Sequence, residues 1–237
     1  MPPSEAAPIV VRDLHGHYGE SHVLHGMRFE VRAGEVVALL GRNGAGKTTT
    51  LRALMGLLKR RRGSVLINGQ ETIGLPPERI ARCGVAHCPE ERGIFASLTV
   101  RENLLLPPLL QPGGLTTQEV LGLFPRLAER AASMGTQLSG GEQQMLAIAR
   151  ILRTGAKTLL LDEPTEGLAP AIVQHLGQVL RGIKARGYTL LLVEQSLEFA
   201  MSVADRFYVV EHGRVVDELD IETLRAHPAR VETYLSV

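Results

Sequence analysis

Apolar and polar residues follow three different rhythms along this chain. Alternation over residues 9–14 and 24–31 predicts two strands, with Gly-rich turns between and after them. Glu35-Val-Val-Ala-Leu-Leu40 and Thr158-Leu-Leu-Leu161 are almost unbroken apolar runs, the pattern of parallel strands covered on both faces. Further strands are expected at Val65–Ile67, 188–193 and 206–211, and Asn68-Gly69 signals a hairpin after the first of these. Helical spacing covers Lys47–Leu57, 170–186 and 196–204, and the prolines at 76 and 77 open a helix that runs to Arg82. From about 100 to 153 the rhythm is helical with no convincing strand, and Pro107-Pro-Leu-Leu-Gln-Pro-Gly-Gly114 must be a loop. The order of elements is that of an α/β protein, a βαβ-rich core with a helical insert.

The first continuous strand runs straight into Gly41-Arg-Asn-Gly-Ala-Gly-Lys-Thr48, which is the P-loop pattern. A triphosphate needs many donors in a small volume, and glycines let the backbone fold tightly enough to aim successive N–H groups at it. Phosphate at the N-terminus of the following helix also meets the positive end of its dipole. Gly41, Arg42, Asn43, Gly44, Ala45, Gly46, Lys47, Thr48 and Thr49 are therefore expected to bind nucleotide. Lys47 would reach the β- and γ-phosphates, and the Thr48 hydroxyl would face Mg²⁺.

The second apolar strand ends in Asp162-Glu163, at the end of a strand where α/β folds bind ligands. Asp162 is read as a metal residue acting through water, and Glu163 as the group that polarises a water attacking the γ-phosphate. Ahead of that strand, Ser139-Gly140-Gly141 opens a helix and offers a second anion site. One P-loop already serves the phosphates from one side. This second site would then need a γ-phosphate from elsewhere, as in a head-to-tail pair of chains with two nucleotides between them. Taken alone, the same three residues read as a plain N-cap.

Composition narrows the setting. With 237 residues the chain can bury a substantial core, and its net charge of +1 gives no general attraction to nucleic acid or anionic lipid. It has no run of 18 apolar residues, and its N-terminus lacks the form of a secretion signal. Cys83 and Cys88, without a CxxC or a ligand set, suggest a reduced cytoplasmic protein with two small buried hydrophobes.

The P-loop, Leu138-Ser-Gly-Gly-Glu-Gln-Gln144 and Leu159-Leu-Leu-Asp-Glu-Pro164 together resemble the ATP-binding subunit of ABC transporters. The likeness runs from about residue 8 to 237, with Glu166-Gly-Leu-Ala-Pro170 where that family has its D-loop. Pro89-Glu90, Leu191-Leu-Val-Glu-Gln195 and the ending Tyr234-Leu-Ser-Val237 are similar to the smaller ATPase of branched-chain amino acid importers, beside which stand urea and short-amide importers. The resemblance implies a P-loop NTPase of ABC ATPase fold. It would have a RecA-like core, an N-terminal antiparallel β portion and a helical subdomain at about 92–157, all in one nucleotide-binding domain at 8–237 behind a tail at 1–7. It implies ATP and Mg²⁺ as cofactors. The implied partners are a second ATPase subunit, the same or paralogous, transmembrane permease subunits and, indirectly, a periplasmic or extracellular solute-binding protein. The chain would sit on the cytoplasmic face of the cell membrane through those permeases, hydrolysing ATP to power uptake of branched-chain amino acids, with urea or short amides as the alternative cargo. A nucleotide-gated interaction module with little turnover is the alternative from a different class.

Tyr18 stands where the family stacks an aromatic on adenine. Two positions depart from the common pattern, with Glu90 at the usual Gln and Gln195 at the usual His. Gln195 can donate to a phosphate oxygen but cannot trade protons near neutral pH, so hydrolysis would lean on Glu163. Glu90 stands either beside the metal or toward the membrane partner. The segment Glu91–Asn103, anchored by Phe95 and Leu98, is the expected permease surface, insert core being the alternative for both anchors. His15, His17, His22 and His25 read as a solvated hairpin rim rather than a zinc site, and Lys59-Arg-Arg-Arg62 as a solvated helix end.

Overall fold

The structure is a computed structural model and describes residues 7–235. The N-terminal tail up to residue 6 and the last two residues of Tyr234–Val237 lie outside the described residues. The chain opens with β1 (Ile9–Tyr18), β2 (Ser21–Val31) and β3 (Val36–Leu40), then α1 (Lys47–Leu54), β4 (Arg60–Ile67), β5 (Gln70–Glu71), α2 (Pro77–Arg82) and β6 (Val85–Cys88). Four helices follow: α3 (Val100–Leu105), α4 (Thr117–Leu123), α5 (Pro125–Glu129) and α6 (Gly140–Leu152). Then come β7 (Thr158–Asp162), α7 (Pro170–Ala185), β8 (Thr189–Glu194), α8 (Leu197–Val203), β9 (Arg206–Glu211) and β10 (Arg214–Asp220). Helices α9 (Ile221–Ala226) and α10 (Ala229–Leu235) close the described chain.

Two sheets result. One is antiparallel, in the order β2-β1-β4-β5, and the other has the order β10-β9-β3-β8-β7-β6. In the second, β9, β3, β8, β7 and β6 run parallel and only β10 is antiparallel. The continuous apolar runs are explained by two separate cores. Val36, Ala38 and Leu40 of β3 join the core on the side of α6 and α7, while Val37 and Leu39 join the core shared with the antiparallel sheet and α1. Leu159 and Leu161 of β7 divide from Leu160 in the same way. Each such leucine contributes about 1.5–3 kcal/mol by leaving water. Both strands are thereby fixed at their carboxyl ends, where Gly41 and Asp162 begin the functional loops.

Several sequence expectations change. β1 continues to Tyr18 because Asp13, at φ 52°, forms a bulge that shifts register and breaks the alternation after Arg12. α1 ends at Leu54, not Leu57. Gly56, at φ 75°, forms a Schellman stop in which Gly56 N–H donates to Ala53 O and Leu57 N–H to Arg52 O. The basic run is not a helix end, since Arg60, Arg61 and Arg62 are the first residues of β4. Arg61 turns inward and donates to the carbonyls of Leu58, Thr72, Ile73 and Leu75. The sequence rhythm marks neither β6 nor β10. β6 is only four residues long, and the alternation of β10 is broken by a register shift between Val215 and Asp217.

The region read as helical, 100–153, contains α3 to α6 and no strand, and residues 107–114 form a loop. Cys88 is buried, with its thiol pushed up to about 12 by burial, and Cys83 is half-buried. Among the described residues no helix is long and apolar enough to cross a membrane.

Candidate functional site

The P-loop lies between β3 and α1 and needs its glycines for two physical reasons. At Gly41 a Cβ would lie 2.3 Å from the Val210 carbonyl oxygen, so no side chain fits there. Gly46 caps α1 at φ 107°, a left-handed conformation, and packs against the Gly213 backbone. The loop and its surroundings form a cleft of about 540 Å³. Of the residues named from sequence, Tyr18, Asn43, Gly44, Gly46, Lys47, Thr48, Thr49, Glu90, Glu163 and Gln195 line it. Gly41, Arg42 and Ala45 do not line it, and Arg42 and Ala45 border a smaller hollow with Val210, Glu211 and His212.

Lys47 is buried, and its Nζ donates to the carbonyls of Gly41 (2.7 Å) and Arg42 (3.0 Å). It also lies 3.5 Å from Glu163 Oε1. Burial lowers the pKa of the ammonium, against the opposing pull of Glu163 and Asp162. Thr48 Oγ1 donates to Asp162 Oδ1 at 2.9 Å. Asp162 is 2% exposed, and burial pushes its carboxyl up to about 6 despite the Thr48 bond, with Glu163 and Glu90 adding to the rise. A cation beside Thr48 and Asp162 would offset that cost and keep the carboxylate ionised. The donor set therefore fits a hard divalent ion. Among the described residues no three His, Cys, Asp or Glu side chains converge as a metal cluster, so such an ion would need oxygens from a bound phosphate and water.

Glu163 has φ 44°, a left-handed conformation that costs a non-glycine residue about 1–3 kcal/mol. It is held there by its own N–H, which donates to Val193 O at 2.9 Å. The result is a carboxylate aimed into the cleft, with Gln195 Nε2 donating to Oε2 at 2.6 Å. Glu90 is exposed on the rim, and its carboxyl is raised by burial together with the nearby Glu166, Glu163 and Glu91. Tyr18 is 44% exposed at the tip of the β1–β2 hairpin, with its ring on the cleft.

Ser139, Gly140 and Gly141 are not brought to this cleft. Ser139 caps α6 in a reciprocal box, accepting from Glu142 N–H while its own N–H donates to Glu142 Oε2 at 2.8 Å. Within one chain the motif is thus an exposed helix start. Arg52 and Val23 line the cleft without a role expected from sequence, and Glu166, the first residue of the D-loop segment, lines it too. Arg52 had a signal: it lies four residues after Thr48, on the same face of α1. Val23 had none.

Fully buried Asn103 shapes the segment Glu91–Asn103. It accepts from Phe95 N–H and donates to the carbonyls of Phe95, Leu98 and Thr99. Phe95 stays 48% exposed beneath the Arg150 guanidinium, while Leu98 is half-buried. The four histidines do gather on one face of the β1–β2 hairpin. His15 Nδ1 lies 3.1 Å from His22 Nε2, and the rings of His17 and His22 stack at 4.2 Å.

The profile of the ABC transporter family matches residues 24–166, more than half of the chain. The chain is 42% identical over 228 residues to the high-affinity branched-chain amino acid transport ATP-binding protein BraG of Pseudomonas aeruginosa, covering 92% of this chain and 95% of that one. It is 34% identical over 206 residues to a probable branched-chain amino acid transport ATP-binding protein, LivF, of Archaeoglobus fulgidus, covering 85% and 87%. A solved structure of an ATP-binding subunit of an ABC transporter superposes with a TM-score of 0.79 at 33% identity, over 93% of each chain. A P-loop cleft in an α/β fold, matched along nearly its whole length to transport ATPases, means that this chain belongs to the ABC transporter family and is one of its ATPases.

Proposed function

We propose that this chain powers the import of branched-chain amino acids by hydrolysing ATP as one of two paired ATPase subunits beneath a permease. The observation that carries the catalytic part is Glu163. Its carboxylate is aimed into the P-loop cleft, 3.5 Å from Lys47 and next in sequence to the Thr48–Asp162 pair. In this reading Tyr18 stacks on adenine, the backbone of residues 41–49 takes the phosphates, and Lys47 exchanges its carbonyl partners for phosphate oxygens. Thr48 and Asp162 hold Mg²⁺, with Glu90 on the acidic side of the same site. The ion supplies charge neutralisation at the phosphates. Glu163 accepts a proton from the attacking water, and the Gln195 amide, which donates to Glu163 here, turns to donate a hydrogen bond to a γ-phosphate oxygen without taking a proton.

Ser139, Gly140 and Gly141 act on the nucleotide of the partner subunit. Residues 92–157 move as a helical subdomain, and their exposed apolar side chains meet the permease. Phe95, Leu105, Leu106 and Leu109 are each 47–73% exposed within that stretch. The chain then sits on the inner face of the membrane through those permease subunits. Branched-chain cargo rests on the likeness to BraG and LivF.

Steady-state ATPase of the full chain tests the catalytic part. Glu163→Gln should lower kcat by at least about a hundredfold while nucleotide binding survives. Equal low rates in both forms would favour a nucleotide-gated module instead. Uptake by the assembled transporter in vesicles tests the cargo: leucine should be carried, and transport of urea or a short amide in its place would reassign it.

A further inference from the structure

Glu194 is a buried carboxylate that the reading above leaves without a task. It ends β8, is 2% exposed, and stands one residue before Gln195. A carboxylate in that position is costly, because burial disfavours its charge and pushes it up to about 7. Its oxygen Oε1 accepts a hydrogen bond from Thr165 Oγ1 at 2.8 Å. Thr165 lies in the turn that leaves β7, two residues after Glu163. In that turn Glu166 N–H donates to Glu163 O and Leu168 N–H to Thr165 O.

The Thr165 bond therefore ties the end of β8 to the turn that begins at the strained Glu163. A left-handed glutamate persists only where its surroundings over-determine it. Three ties converge on it: Glu163 N–H to Val193 O, Gln195 Nε2 to Glu163 Oε2, and Thr165 to Glu194. The first two touch Glu163 itself. The third fixes the direction in which the chain leaves it.

We propose that Glu194 is a positioning residue for ATP hydrolysis, holding Glu163 in its reactive orientation through the hydroxyl of Thr165. Glu194 touches neither nucleotide nor water in this assignment. It works as a hydrogen-bond acceptor, and the proposal rests on Glu163 being the catalytic base.

The prediction separates positioning from binding and from proton transfer. In the full chain, Glu194→Ala and Thr165→Val should each lower kcat about tenfold or more, with nucleotide affinity and KM within about twofold of the parent. The two losses should not multiply: the double variant should match the worse single one. Thr165→Ser restores the hydroxyl and Glu194→Gln restores an acceptor, so both should recover most of kcat. Thr165 is only half-buried, so its variants report even where Glu194→Ala folds poorly.

Multiplying losses, or a fall in nucleotide affinity matching the fall in kcat, would overturn the assignment. Glu194→Gln as inactive as Glu194→Ala would overturn it too, since the charge or proton would then matter rather than the bond. The Glu163→Gln measurement stands apart. If that variant stays active, the base assignment fails whatever Glu194 does. If it is inactive while Glu194 and Thr165 act independently, only the positioning role fails.

Discussion

Arg206 shows what one side chain can do for the fold that carries the site. It is buried at the start of β9, and its Nε and one terminal nitrogen each lie 2.9 Å from an oxygen of Glu35, a bidentate pair. The same guanidinium reaches Glu218 on β10, the Tyr208 hydroxyl and the Glu30 carbonyl on β2, so it bridges the two sheets. Burial works against its charge, but Glu35 and Glu218 more than offset that and hold it above the usual range. Replacing Arg206 with Leu would strand Glu35 in a largely buried place. The expected loss is on the order of 3 kcal/mol, or a melting midpoint lower by roughly 10 °C. Lysine cannot restore the two-pronged geometry, so Arg206→Lys should recover less than half of the loss. A midpoint within two or three degrees of the parent for Arg206→Leu, measured by calorimetry, would mean that the bridge is neutral. No sequence pattern announced it, because Arg206 and Glu35 are 171 positions apart. The P-loop was legible for the opposite reason, its donors being consecutive in the chain.

At the scale of elements, the β1–β2 hairpin carries Tyr18 at its tip and the four histidines on one face. Its register places His15 opposite His25 and His17 opposite His22. Arg60 and Arg62 pair alongside on β4, Arg214 lies near His25, Asp13 is 3.5 Å from His15, and Arg28 is 3.7 Å from Asp13. The pKa values of His17 and His25 are both lowered, first by burial and then by His22 and the neighbouring arginines. The unfolded chain therefore binds more protons than the hairpin near the ordinary histidine pKa of 6.5. The hairpin's contribution is whole above that value and is lost as pH falls through the lowered pKa values. Acidifying from pH 7.5 to 5.5 should reduce thermal stability and nucleotide affinity together. His25 adds the link to the P-loop: its N–H donates to Gly213 O, and Gly213 N–H donates to Ala45 O. His17→Gln with His25→Gln should flatten the pH dependence of the melting midpoint. An unchanged slope in that double variant would show that His17 and His25 contribute nothing to the pH dependence. The sequence hinted that His15 and His17 share a face. It could not show the stack, because the bulge at Asp13 sets which cross-strand neighbours meet.

At the scale of the whole molecule, the proposed function makes this chain one half of a site. Long apolar strands with ligand loops at their ends were readable because burial on both faces leaves a local signature. Contacts made only between distant segments, such as Thr165 with Glu194, leave none. The Ser139 motif belongs to a third kind: its residues are plain in sequence, yet in one chain the Ser139 side chain serves to cap the helix against Glu142. An exposed helix N-terminus with unspent N–H groups in α6 gains most from an anion that a second chain brings. Two chains facing head to tail would supply it twice, with symmetry closing the pair. Hydrolysis would then remove the anion that joins them, so a chain unable to hydrolyse should stay paired. Glu163→Gln with MgATP should elute at twice the mass of the same protein with MgADP. Adding Gly140→Asp places a negative charge where the phosphate would sit, and its Cβ would meet only the Arg92 guanidinium at 3.4 Å, so the fold can accept it. That double variant should remain monomeric in MgATP while binding nucleotide normally at its own P-loop. If Glu163→Gln alone stays monomeric at saturating MgATP, the helix start at Ser139 serves as a cap and nothing more. If pairing survives Gly140→Asp, the chains meet without the α6 N-terminus touching phosphate.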